Sequence, residues 1–206
     1  MLYPNRNDEM CLKMTRVESD EKSVETNILE PVMNAVKNRY EHILKDFYPS
    51  WGSVGFTERN LTHNFCAQYE ALSDNEDLVV WQEAPVKYTK EHVDSLIIDE
   101  DTAFMIEAKR IMTKSEVDSI KADVERMEKI ANTSEEKLKG IKNVKHLYIV
   151  VVADFWRTGK TEKEQYLIDF KREMIENGLT LLDEKTVRQN QSCEEYNLLC
   201  AFKKVR

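Results

Sequence analysis

Asp94, Glu107 and Lys109 are the residues of this chain whose types and spacing suit chemistry. They fall in His-Val-Asp94-Ser-Leu-Ile-Ile-Asp-Glu-Asp-Thr-Ala-Phe-Met-Ile-Glu107-Ala-Lys109, two apolar runs parted by Asp99-Glu-Asp-Thr102. A turn centred on that polar interruption makes the runs a hairpin and pairs Ile98 with Ala103. The same register sets Leu96 opposite Met105, Asp94 opposite Glu107 and His92 opposite Lys109. Side chains alternate along a strand, so Glu107 and Lys109 share one face and Asp94 joins them across the ladder. The other face, Val93, Ser95, Ile97, Phe104, Ile106 and Ala108, is mostly apolar. Two carboxylates directly opposite, with Cβ atoms ~5 Å apart, repel unless positive charge lies between them. A divalent cation meets that need, because Mg²⁺ takes carboxylate oxygens, water and substrate phosphate. On this reading, removing one acid leaves the metal-free protein as stable as before or more so. The plain alternative is an exposed hairpin end with Lys109 paired to one acid, which leaves the second acid unexplained.

An acid two residues before a lysine also occurs at Asp20, Glu135, Asp169 and Asp183. Asp20 belongs to a polar lead-in, Glu135 to a polar linking stretch and Asp169 to a helix. Asp183 ends a strand-like run preceded by a helix, where a hairpin bearing an Asp would be needed. Only Glu107 has the hairpin partner.

The elements that must position these residues follow from periodicity. Residues 1 to about 22 are polar and aperiodic, a mobile lead-in, and 23–206 read as one α/β domain. A helix is predicted from Asn27 to Phe47 on the stripe Val32, Val36, Ile43 and Phe47, followed by a loop from Pro49 to Gly55. A second helix starts at Thr57 as N-cap and turns Leu61, Phe65, Tyr69 and Leu72 inward. Strands are predicted at Leu78–Trp81, His92–Ile98 and Ala103–Lys109. A helix opening on Ser115-Glu-Val-Asp118 buries Val117, Ile120, Val124 and Met127. Leu147 to Ala153 is a fully apolar strand, covered on both faces. Thr161 opens a last helix closed by Gly178, and Leu179–Leu182 and Asn197–Phe202 end the chain as strands.

Composition bounds the function classes. The 206-residue chain is 41% hydrophobic and 33% charged, with a net charge of -8. Its longest apolar run is too short to cross a bilayer, and no secretory signal opens it, so a cytoplasmic protein without membrane contact is expected. Cys11, Cys66, Cys193 and Cys200 form no zinc-ligand spacing with the histidines and read as reduced thiols. The acidic balance opposes nucleic-acid binding, but distribution matters more than the sum. Acid gathers at Asp74–Asp77 and Asp94–Glu107, and base at Lys137, Lys139, Lys142, Lys145, Lys203, Lys204 and Arg206. Gly159-Lys160-Thr161 is rejected as a phosphate-binding loop, because the position of its first glycine is held by Asp154. Trp51, Trp81 and Trp156 read as packing residues rather than base-stacking platforms.

An Asp opening one strand, then Glu-x-Lys closing the next after an apolar run, resembles the PD-(D/E)XK superfamily of restriction-endonuclease-like nucleases. The order helix 57–72, three strands, helix 115–131 and strand 147–153 is similar too, so the resemblance covers a core of about 57–153. Val93 stands where the family's name has Pro, a position that varies within it. The resemblance implies a three-layer α/β/α sandwich around a mixed central sheet, here with an N-terminal helical extension. It implies Asp94 and Glu107 as ligands of Mg²⁺ (Mn²⁺ substituting), the Ala108 carbonyl as a further ligand, and Lys109 beside the attacking water. Many members add a Glu from the helix before the first strand, and Glu58 fits best, on the stripe of Leu61 and Phe65. Its alternative role is a first-turn acid complementing the helix dipole. The implied activity is metal-dependent hydrolysis of DNA phosphodiester bonds, DNA ahead of RNA, with a homodimer left open. The alternative is a catalytically silent fold that binds nucleic acid or protein.

Overall fold

The computed structural model describes residues 27–46, 56–133, 138, 140–157, 161–188 and 195–206. The polar lead-in, the loop from Pro49 to Gly55, Cys11, Cys193, Trp51, Lys137, Lys139 and Gly159-Lys160 lie outside the described residues.

Helix α1 spans Leu29–Asp46 and buries Val32, Val36, Tyr40 and Leu44, a stripe of helical period. Helix α2 spans Glu58–Leu72 behind Thr57, whose Oγ1 accepts from the Asn60 N–H while Asn60 Oδ1 accepts from the Thr57 N–H. Three antiparallel strands follow, β1 (Val79–Pro85), β2 (His92–Asp99) and β3 (Thr102–Ile111). Helix α3 (Lys114–Asn132) crosses from β3 to the parallel strand β4 (His146–Arg157). Helix α4 (Thr161–Glu176) ends at Gly178, whose φ is 76°. The Gly178 N–H donates to the Ile175 carbonyl and the Leu179 N–H to the Met174 carbonyl, a paired closure that glycine permits at no steric cost. Strands β5 (Thr180–Leu181) and β6 (Lys185–Arg188) both pair antiparallel with β7 (Glu195–Lys204).

These elements make an α/β fold with an open, mixed sheet of seven strands in the order β1-β2-β3-β4-β7-β5, β6 also lying on β7. Alternation along β3 and β4 sends their apolar residues into two clusters. Ala103, Met105, Leu147, Ile149 and Val151 join Val117, Ile120, Val124 and Met127 of α3 and Phe170 and Met174 of α4. Phe104, Ile106, Tyr148, Val150 and Val152 join Val32, Val36 and Tyr40 of α1 and Leu61 and Phe65 of α2. The apolar strand predicted at Leu147–Ala153 is thus covered on both faces, as its lack of polar alternation requires.

Several readings need correction. Leu72, expected inward on the second helix, is 44% exposed, and the first strand, expected over Leu78–Trp81, runs Val79–Pro85. Helix α3 starts earlier than Ser115, because Glu116 Oε2 accepts from the Met112 and Thr113 N–H groups at 2.7 and 2.6 Å and so sets the helix start at Thr113. Strand β6 has no counterpart in the sequence pattern: Lys185-Thr-Val-Arg188 lacks an apolar run and is extended through its pairing with β7. No helix among the described residues is long and apolar enough to cross a membrane. Cys66 and Cys200 are free, buried thiols.

Candidate active site

The site forms where β2 leaves β3. Their ladder runs from Asp99–Thr102, across the two-residue turn Glu100–Asp101, to Ser95–Ile106 and ends there. Asp94 and Glu107 hold the next place in that register without being paired. The β1–β2 ladder passes over the same point, joining Gln82 to Ser95 and Ala84 to Val93 and skipping Glu83, whose φ is 51°. Strand β3 nevertheless continues to Ile111, held on its other edge by β4. Its N–H groups on the vacated edge need partners, because unpaired backbone donors are costly. Carboxylates supply them. The Ala108 N–H donates to Asp94 Oδ2 at 2.7 Å, and two residues on the Arg110 N–H donates to Glu58 Oε1 at 3.1 Å. Glu58 therefore reaches this strand edge from the first turn of α2. For Ala108 it is the N–H, not the carbonyl, whose partner is defined.

Glu107 and Lys109 face α3. Glu107 is 6% exposed, and each of its oxygens meets a cation: Lys109 Nζ lies 3.2 Å from Oε1 and Arg126 Nη2 lies 2.9 Å from Oε2. Asp123, one helical turn before Arg126, holds Lys109 at 2.8 Å and Arg126 at 3.5 Å. Arg126 Nη1 also donates to the His92 carbonyl at 2.9 Å, tying α3 to the start of β2. Burial, then the nearby Asp94 charge, lift the Glu107 carboxyl to about 7 despite Lys109 and Arg126. Burial alone would lower Lys109, but the hydrogen bond to Asp123 and the Glu107 charge outweigh it and raise its pKa. Lys109 is therefore held as an ammonium ion. The exposed-hairpin alternative does not describe this site, whose ion pairs are largely buried.

Arg126 and Asp123 were not visible in the sequence. They flank the buried stripe of Val124 and Met127, where a charged residue looks like any solvated one. The positive charge that the two carboxylates require is supplied, in part, from inside the protein. Among the described residues no group of three or more His, Cys, Asp or Glu side chains stands together as a ready cation cage. Mg²⁺, however, is commonly held by one or two carboxylates plus water and phosphate. The donor set fits that chemistry: Asp94 and Glu107 hold the next register place beyond the ladder, and Glu58 reaches the same stretch of β3.

A cleft of about 390 Å³ opens on the site, lined by Glu58, Arg59, Thr62, Gln82, Glu83, His92 and Asp94. Glu107 and Lys109 lie behind it against α3. The basic residues picked out from sequence are elsewhere: Lys145 pairs with Asp101 beside the β2–β3 turn, and Lys203 of the C-terminal group pairs with Glu128. In the acidic stretch nearest that turn, Asp99 accepts from Tyr69, Ser73 and Asn75, a structural arrangement. Trp156 is buried and Trp81 is 41% exposed. No family model, curated protein or solved structure matches this chain.

Proposed function

We propose that the chain is a divalent-metal-dependent nuclease of the PD-(D/E)XK type that hydrolyses DNA phosphodiester bonds. The finer architecture belongs to the same proposal: a three-layer α/β/α sandwich, with α1 and α2 on one face of the sheet and α3 and α4 on the other. The observation that carries the reading is the meeting of Glu58, Asp94, Glu107 and Lys109 at the gap where β2 leaves β3. Asp94 and Glu107 would hold Mg²⁺ or Mn²⁺, with the Ala108 carbonyl beside them. Such a cation supplies Lewis-acid polarisation of a phosphoryl oxygen and a more acidic water. Lys109, kept protonated by Asp123, orients that water as a donor and offsets charge developing on the phosphate. Glu58 and Asp94 bound the cleft through which DNA enters. One observation favours the silent-fold alternative: both oxygens of Glu107 already hold cations.

The test is incubation of wild type and Lys109→Ala with plasmid, linear and single-stranded DNA and with RNA, in Mg²⁺, Mn²⁺ or EDTA. Wild type is expected to cut DNA only with metal. The variant is expected to fold and bind DNA, since affinity is spread over many phosphate contacts, but to cut about two orders of magnitude more slowly. DNA left intact by wild type in every metal supports the silent fold. Undiminished cleavage by folded Lys109→Ala removes Lys109 from the mechanism.

A further inference from the structure

Arg126 already occupies one oxygen of Glu107. Its Nη2 lies 2.9 Å from Glu107 Oε2 and its Nη1 reaches the His92 carbonyl, while Lys109 takes Oε1. None of the four side chains in this network, Glu107, Lys109, Asp123 and Arg126, is more than 22% exposed. Ion pairs so screened from water are not the near-neutral contacts of a protein surface. Two cations on one carboxylate oxygen repel, so guanidinium and divalent metal compete there. Arg126 differs from Lys109 in this respect: it comes from another element, on the helix that packs over the site, and it joins three elements at once.

We propose that Arg126 is a resident counter-ion for Glu107, given up in exchange for the divalent cation. The proposal rests on the reading of Asp94 and Glu107 as the metal-holding pair. While in place, the guanidinium offsets the repulsion between Glu107 and Asp94 and pins the start of β2 to α3. Once displaced, it stays within the site, where its planar fork suits two oxygens of a phosphate. Arg126 is thus a positioning residue that keeps the carboxylates assembled before metal and substrate arrive.

The exchange is tested by calorimetric titration with Mn²⁺ alone at one fixed, mildly alkaline pH. Wild type, Arg126→Ala, Arg126→Gln and Asp94→Ala are compared, each with melting curves with and without Mn²⁺. Arg126→Ala is expected to bind Mn²⁺ about tenfold more tightly than wild type, because a charge-assisted hydrogen bond no longer competes. It should melt below wild type without metal and gain more from saturating Mn²⁺. Arg126→Gln keeps a donor for the His92 carbonyl and carries the same expected gain if the alanine variant does not fold. Asp94→Ala should lose binding. Equal or weaker Mn²⁺ binding by both folded Arg126 variants, with Asp94→Ala abolishing it, overturns the exchange and leaves the metal reading standing. Absence of Mn²⁺ binding by every form overturns both.

Discussion

Glu107 holds a cation on each oxygen, and this reverses what the sequence suggests about removing it. Facing acids in a hairpin lead one to expect that loss of either relieves repulsion. In the structure, deleting the carboxylate leaves Lys109 and Arg126 partly buried with only Asp123 to answer them. Breaking a buried pair from one side is strongly destabilising. Glu107→Ala should therefore cost about 2–4 kcal/mol, scaled down from a fully buried pair because both cations retain some water. Glu107→Gln, which keeps an acceptor for one donor, should cost less. Urea unfolding at neutral pH reads both, and a Glu107→Ala protein as stable as wild type would mean the cations do not depend on it. The three residues of the hairpin were legible because strand alternation is rigid: once the turn is placed, Asp94, Glu107 and Lys109 follow. Arg126 and Asp123 were not, because only the packing angle of α3 on the sheet decides which polar residues beside a helix stripe turn inward.

At the scale of elements, the decisive event is the parting of β2 from β3. The hairpin and its register were readable from two apolar runs around one polar turn, and α1, α2, β4 and α4 from clear periods and caps. The parting was not, since nothing in residues 92–95 announces that pairing stops. Its consequence is that β3 leaves N–H groups for side-chain carboxylates to take, and Glu58 crosses from α2 to reach Arg110. Structure and chemistry can be separated here. Glu58→Ala loses the acceptor for the Arg110 N–H and should cost about 1–2 kcal/mol, the usual scale for a charge-assisted or end-capping bond. Glu58→Gln keeps an oxygen at the same reach and should melt close to wild type. If Glu58 also serves the reaction, the Gln variant should nonetheless lose cleavage. A Gln variant that is both stable and fully active confines Glu58 to holding the strand edge.

Across the whole molecule, the sheet's interior carries a few polar residues among its apolar layers, and Asp154 is one that is fully buried. Asp154 ends the apolar run of β4, fully buried beside Arg110 of β3, whose Nε lies 4.0 Å from Oδ1. The Tyr196 hydroxyl of β7 donates to Oδ2. From sequence, Asp154 served only to exclude a phosphate-binding loop; that β7 pairs beside β4 and brings Tyr196 to it is shown by no local pattern. Burial lifts its carboxyl from 3.8 to about 7, with Tyr196 and Arg110 working against the shift and Glu58 and Glu116 adding to it. The folded pKa thus exceeds the unfolded one. Below about pH 4 both states keep the proton and Asp154 contributes no pH dependence. Between about 4 and 7 the unfolded chain has released the proton that the folded chain still holds, so stability falls as pH rises. Above 7 the loss is complete, of the order of a few kcal/mol. Asp154→Asn keeps an oxygen for Tyr196 and cannot ionise, so its unfolding free energy should lack this component. Urea unfolding of both proteins from about pH 4 to 8 should show similar stability at the acid end, with the variant pulling ahead towards pH 8. Parallel profiles over that range would mean that Asp154 is ionised in the folded protein, and that Arg110 neutralises it more fully than a separation of 4.0 Å suggests.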